Sequence, residues 1–315
     1  MAKRDLYDAS VRLQIFIEAL KVNFQLLFNP VFVDLSSEVK ALIYALEKDS
    51  LDELTKRQLE LLVAKIHRLQ IKLYREYVGN LTDEMKDFAE ALGEVVAAIY
   101  EVELQQAKDI WANIISEPIG ANGTFVGAFV QSFAASGVVQ TENMIRKAYA
   151  NARTKTQTVE EVLATLNKIR FQSNAVTNTN VQHIASMVSQ NYASGKWGKY
   201  RWISVIDSST TEICLERGRD GGKVYVYGEG PLPPAHIGCR SLIVPYDDSQ
   251  NTRAETLFSF LSSQSTTIQN LALGSKVGAM FRAGKVKAAE LTKLANPPAL
   301  TIADFKKSLS LILEG

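Results

Sequence analysis

Between residues 50 and 77, Leu59, Leu62, Ile66, Leu69 and Leu73 recur at alternating steps of three and four. That 3.5-residue period builds an apolar stripe on one face of a helix, which must bury against another helix. The stripe lasts about two heptads, so a local bundle is expected rather than an extended coiled coil. Ser50 followed by Glu53 reads as a capping box at the helix start. A second long helix is predicted from Thr82 to about Ile115, ended by Pro118. Another is predicted from Thr141, and a short one capped by Thr158 and Glu161. A last one, near residues 178–194, stops at Gly195, where a left-handed residue would close it.

No charged residue occurs between Glu117 and Glu142. The 24 intervening residues could cross a bilayer, and Gly123-x-x-x-Gly127 would let helices approach closely. Asn122, Thr124, Gln131, Ser132, Ser136 and Gln140 are a heavy polar load for a membrane helix. A packed segment is therefore expected, with membrane insertion as the alternative.

Composition changes at Lys196. Trp202–Ile206 alternates like a strand, a turn follows at Gly218–Gly222, and Lys223–Tyr227 and Ser241–Val244 read as two further strands. Residues 252–315 return to helix, broken at Asn296-Pro-Pro298, with Thr301 and Asp304 capping a terminal helix. The predicted fold is α+β, mostly helical, with a small antiparallel β module near residues 196–246. Three regions are expected: a helical 1–174, a β-containing 175–246 and a helical tail 247–315. With 46% hydrophobic and 22% charged residues, the chain is one that folds.

The net charge of +1 hides an asymmetry: residues 1–142 carry −7 and residues 143–315 carry +8. An acidic half and a basic half suggest two partners, or one half facing a polyanion. The apolar stretch after the basic start is interrupted by Glu18 and Lys21, unlike a signal-peptide core, so a reducing compartment is expected.

The β module holds both cysteines, Cys214 and Cys239, and one of only three histidines, His236. The His-x-x-Cys step can place two ligands on one center, and Cys214 can join them through the hairpin. Structural zinc usually needs four ligands, so the fourth would be Asp207, a water or another group. Two other readings stand beside a structural zinc. The cysteines can be small buried apolar residues with His236 capping a loop, or they can bridge on oxidation. Cys214, His236 and Asp207 are also the residue types of a thiol nucleophile, base and orienter. No nucleophile signature, phosphate-binding glycine loop, paired acidic metal motif or dinucleotide fingerprint accompanies them, so no enzyme is expected. His67 and His183 read as solvated or packed residues.

The run Trp202…Asp207…Thr210…Cys214…Gly222-Lys223…Pro233-Pro234-x-His236-x-x-Cys239-Arg240…Pro245 resembles the signature of the Mu F-like family of phage minor head, or head morphogenesis, proteins. The likeness covers about residues 175–246. The chain departs from the family pattern in two places. Cys239-Arg240-Ser241 stands where the family has Cys-Arg-Cys, and Asn178-Thr179-Asn180 where it has Arg-Thr-Glu. The first loses a soft ligand, so a metal site would be poorer; the second loses an ion pair that would fix helix to sheet.

The resemblance implies a virion protein inside the capsid near the portal, made in the host cytoplasm. It would act in head morphogenesis, bind portal or major capsid protein, touch packaged double-stranded DNA and, in some members, leave with it. The basic half agrees, since it would face phosphate. Lys196, Lys199 and Arg201 with Trp197 and Tyr200 form a basic-aromatic cluster suited to backbone and exposed bases. Arg240, in the same module, is a further candidate nucleic-acid contact. Lys276, Arg282, Lys285, Lys287 and Lys293 form a second basic helix. The alternatives are a nucleic-acid-associated enzyme or toxin-like module using Cys214 and His236, and a membrane-active ejection protein using residues 118–141. Membrane contact is expected only during ejection.

Overall fold

Thirteen helices dominate the described part of the chain: residues 5–204, 206–207, 210–246 and 256–313 of a computed structural model. They are α1 Leu6–Leu26, α2 Asn29–Tyr44, α3 Lys56–Tyr100, α4 Ala107–Ser116, α5 Val126–Ala150 and α6 Lys155–Ala193. After these come α7 Glu212–Gly218, α8 Leu257–Ser262, α9 Thr266–Leu273, α10 Ser275–Arg282, α11 Leu291–Leu294, α12 Ile302–Lys307 and α13 Leu309–Leu313. Three strands, β1 Lys199–Ile203, β2 Val224–Val226 and β3 Leu242–Tyr246, form an antiparallel sheet in the order β2-β1-β3. The fold is thus α+β and mostly helical, as the sequence predicts.

Helix boundaries differ from the sequence reading where a capping signature was read inside a helix. α3 runs unbroken for 45 residues through Thr82, whose hydroxyl bonds the Val78 carbonyl one turn back (2.7 Å). Its start is the reciprocal pair Thr55 and Gln58, in which each side chain accepts the other's backbone N–H (3.3 and 2.8 Å). Ser50 instead precedes a short 3₁₀ turn, Leu51–Glu53, with no side-chain cap. Thr154 and Gln157 start α6 in the same way (3.3 and 3.2 Å), while Thr158 lies inside it, bonded to the Thr154 carbonyl. Thr141 sits mid-helix in α5, its hydroxyl on the Gly137 carbonyl. Gln replaces Glu as the reciprocal acceptor in these two boxes. Thr301 does cap α12, accepting from the Asp304 N–H at 3.1 Å.

The chain packs into two compact units that alternate along the sequence. One unit takes residues 25–83 and 127–177; the other takes the chain up to Phe24, residues 84–126 and the chain from Asn178 onward. The boundary expected near residue 174 therefore falls inside α6.

In the unit of residues 25–83 and 127–177, Leu59, Leu62, Ile66 and Leu73 of the apolar stripe are buried, together with Ile145, Val162, Leu166 and Ile169. Phe28, Tyr74, Tyr77 and Phe133 form an aromatic knot, with Phe28 edge-on to Tyr77 at 5.0 Å and to Phe133 at 5.7 Å. His67 bonds Glu142 through Nδ1 at 2.6 Å. The uncharged stretch is not one helix. A turn closed by Gly123 N–H on the Ile119 carbonyl (2.8 Å) precedes α5. Nothing lies within 4 Å of where a Cβ would stand at Gly123 or Gly127, so these glycines mediate no close helix approach. Gly137 does, lying against the Tyr74 hydroxyl. By length and composition, the helical stretch among the described residues that could cross a bilayer is Leu6–Tyr44, half of its apolar window buried within the chain.

The other unit holds the sheet. Phe24 packs edge-on to Phe88 at 5.9 Å, and Phe88 against Phe305 at 6.3 Å. Arg12, buried on α1, donates through Nε to the Ile312 carbonyl at 2.9 Å, tying the first helix to the last. His183 is buried beside the Ile114 carbonyl, and burial holds it below the usual imidazole range.

Phe133→Ala removes the ring that Phe28, Tyr74 and Tyr77 share, and should cost about 3–4 kcal/mol of stability in denaturant titration. Gly127→Ala, on an exposed helix position, should leave stability unchanged or slightly raised. The reverse order would mean that the close approach runs through Gly127.

Candidate functional site

Adjacent residues of a strand point to opposite faces, and β1 uses both. On one face Trp202 joins Cys214 and Cys239 in a buried cluster, with Tyr225 and Ala235 packed against it. On the other, Ile203 joins Leu242 and Val244, covered by Leu6 and Tyr7 of α1. The sheet is therefore sandwiched, and β1 is buried from Tyr200 to Ile203.

Two segments bring the reactive side chains to the Trp202 face. Cys214 lies in the first turn of α7, which approaches β1 so closely that a Cβ at Gly218 would press on Ser204. Ser204 locks this arrangement: its hydroxyl donates to the Cys214 carbonyl (2.6 Å), accepts from the Trp202 indole N–H (3.1 Å) and meets the Ser241 hydroxyl at 3.2 Å. Gly222 turns the chain back at φ +99°, where a Cβ would collide with the Trp202 carbonyl. His236 and Cys239 come from a tight turn closed by the Cys239 N–H on the His236 carbonyl at 3.1 Å. Gly238 takes the positive φ of that turn (74°) and donates its N–H to Thr179 Oγ1 of α6 at 3.1 Å.

Cys214 Sγ lies 3.3 Å from His236 Nε2 and 3.7 Å from Cys239 Sγ, and all three ligand atoms fall within 4.8 Å of one another. Both cysteines are free thiols and buried; His236 is half-buried. His236 Nδ1 is 2.9 Å from the Ile237 carbonyl. A carbonyl only accepts, so Nδ1 carries the proton and Nε2 presents its lone pair to the sulfurs. The hydrogen bond from Cys214 draws Cys239 below the usual thiol range, while donating that bond, together with burial, pushes Cys214 up. Such a cluster can take a soft metal ion, or close a disulfide if the sulfurs move to about 2.05 Å.

Three of the four expected ligands thus converge, and Asp207 does not join them. Its carboxylate is held by Arg240, whose Nη2 lies 2.7 Å from each oxygen, and the Asp207 N–H donates to Thr210 Oγ1 at 2.9 Å. An ion pair to a guanidinium outcompetes a more distant soft site for a hard carboxylate. With His236 Nδ1 on a backbone carbonyl and Asp207 on Arg240, no carboxylate among the described residues orients that ring, so Cys214, His236 and Asp207 are not arranged as a Cys–His–Asp relay.

The expected basic-aromatic cluster is likewise not a surface stripe. Tyr200 is fully buried, its hydroxyl on the Pro231 carbonyl at 2.6 Å, and Arg201 is buried with its guanidinium 4.5 Å over the Tyr246 ring. Lys196 donates to the Tyr100 carbonyl at 2.7 Å, capping the end of α3, and lies 4.6 Å over Trp197, which itself packs edge-on to Tyr100. Strand burial on both faces and helix capping claim these residues. Lys199 is exposed, as are Lys285 and Lys287, but the second basic segment is two short helices, α10 and α11, joined by a loop and a 3₁₀ turn at Ala288–Glu290. Sequence reasoning missed Ser204 as a support and gave Thr179 no role beyond its place in the resemblance; an isolated Ser carries no spacing signal.

Arg240→Ala would leave the Asp207 carboxylate, 3% exposed, facing an uncharged neighbour. It should cost about 3 kcal/mol in denaturant titration, and Asp207→Asn in the same chain should recover part of that loss. Additive losses would show that the pair is not coupled. No protein-family model, curated protein or solved structure matches this chain.

Proposed function

We propose that the chain is a minor head protein of a tailed phage, a structural and assembly component inside the capsid near the portal that touches packaged DNA without reading its sequence. The observation that carries this reading is convergence. Several residues of the Mu F-like pattern, spread from Trp202 to Arg240, come together around one small site. Trp202, Cys214 and Cys239 share a core, Asp207 pairs with Arg240, and Gly222 passes the Trp202 carbonyl. Ser241, where the pattern has its last cysteine, lines the same small cavity as Cys214 and His236. Thr179, the residue kept from the Arg-Thr-Glu triplet, holds the His236–Cys239 turn. Residues that pack as a unit in this way are those a family signature would keep together.

The role is structural, with no reaction assigned. Portal or capsid protein is the proposed docking partner of the acidic half. DNA binding would fall to the exposed lysines of the basic half, Lys199, Lys276, Lys285, Lys287 and Lys293. Ejection with the DNA belongs to the same reading.

Mass spectrometry of purified phage particles, from a host carrying this gene, tests the proposal. The protein should be present at low copy in full particles, and comparison with particles that have released their DNA separates a fixed component from an ejected one. Absence from the particle would remove the reading. In vitro, duplex DNA binding should weaken steeply with salt. Lys285→Ala with Lys287→Ala should flatten the log–log slope by about 0.9 for each phosphate that is no longer neutralised. Binding that ignores salt would remove the DNA-binding role.

A further inference from the structure

We propose that Cys214, His236 and Cys239 bind one zinc ion in a three-ligand site whose fourth position opens into the small cavity lined by Thr210, Thr211, Arg240 and Ser241. Ligand spacing comes first. A tetrahedral zinc with sulfur at 2.3 Å and nitrogen at 2.0–2.1 Å sets its ligands about 3.8 Å apart for two sulfurs and about 3.5 Å for sulfur and nitrogen. Cys214 Sγ lies 3.7 Å from Cys239 Sγ and 3.3 Å from His236 Nε2, so these two pairs stand near their bound separations, and all three ligand atoms lie within 4.8 Å of one another.

The histidine gives an independent argument. Metal-bound imidazoles donate their other N–H to a carbonyl or carboxylate, which fixes tautomer and ring orientation. His236 does this with the Ile237 carbonyl at 2.9 Å, leaving Nε2 facing the sulfurs. Two buried apolar cysteines would need no such orientation.

The fourth position follows from what is absent and what is open. Asp207 is engaged by Arg240, and no other Cys, His, Asp or Glu among the described residues joins the three. Beside them is a cavity of about 20 Å³, lined by Thr210, Thr211, Cys214, His236, Gly238, Arg240 and Ser241. That volume holds one water, which needs about 10–15 Å³, and hydroxyls line it. Three protein ligands plus an exchangeable water is the pattern of an open zinc site rather than a closed structural one. Charge also balances, since two thiolates and a neutral imidazole cancel the ion's +2 in a buried place. On binding, the thiol protons leave to solvent and sulfur–zinc bonds form, with no change of oxidation state. The ion would join α7 to the irregular loop before β3.

The test uses the full chain, purified without chelator or added metal, and it stands apart from the virion reading. Elemental analysis should find about one zinc per chain, and cobalt(II) exchange should give the intense visible absorption of tetrahedral cobalt with a thiolate charge-transfer band. Sodium azide should shift those bands by taking the fourth position. Ser241→Cys, which places a thiol on the cavity wall without removing a ligand, should strengthen the charge-transfer band and abolish the azide response. Zinc below about a tenth of an equivalent, with no cobalt uptake, overturns the site. Metal retained by the Cys214→Ser, Cys239→Ser double variant overturns the ligand assignment. A bound cobalt that ignores azide overturns the open position.

Discussion

A single buried amide, that of Gln182, connects the sheet to the helices around it. Its Oε1 accepts from Gln14 Nε2 (2.9 Å) and Lys21 Nζ (2.7 Å), and its Nε2 donates to Gln14 Oε1 (3.2 Å) and to the Ser241 carbonyl (2.8 Å). Lys21 is 2% exposed and meets Glu18 at 2.6 Å. Burying a lysine costs several kcal/mol unless it is paired and hydrogen-bonded, and here both conditions hold. Every polar atom of the Gln182 amide is used, so α1, α6 and the start of β3 are fixed by directional bonds, which apolar packing alone cannot supply. Ser241 sits at the edge of the cysteine cluster, so the geometry of that cluster inherits this register.

The three-stranded sheet is too small to stand alone, and its stability comes from what covers it. β1 carries Trp202 toward the thiol cluster and Ile203 toward Leu6 and Tyr7. The chemistry is confined to one face because the other is occupied by α1. The segments that bear the ligands are short: seven residues of α7 and a turn of four. Such pieces bury little apolar surface, so a hydrogen bond donated by Ser204 to α7 and one accepted by Thr179 from the turn position them.

The helical character and the small antiparallel sheet were legible in the sequence because periodicity reports burial directly. The stripe at Leu59, Leu62, Ile66 and Leu73 is buried, and the strands lie within a few residues of their expected places. Helix ends were read less well, because Thr-x-x-Gln works as well as Ser-x-x-Glu and threonine also sits inside helices on a carbonyl one turn back. Of the site, the His-x-x-Cys step and the distant cysteine were visible as ligand spacing. The place of Asp207 was not, since its partner Arg240 lies 33 positions away. Tyr200 and Arg201 look like a surface cluster by composition, and only a strand covered on both sides explains their burial.

The unit that holds the sheet is written into the chain in three separate stretches, with the other unit's segments interposed. Arg12 finds its acceptor at Ile312, a separation of 300 residues. A ribosome therefore releases α1 long before the strands that need its cover and the carbonyl that satisfies its arginine. Pairings of such high sequence separation form late and slowly. Until the residues around Ile312 have been made, Arg12 lacks the carbonyl that satisfies it, so the contacts that close this unit around α1 are among the last to become available.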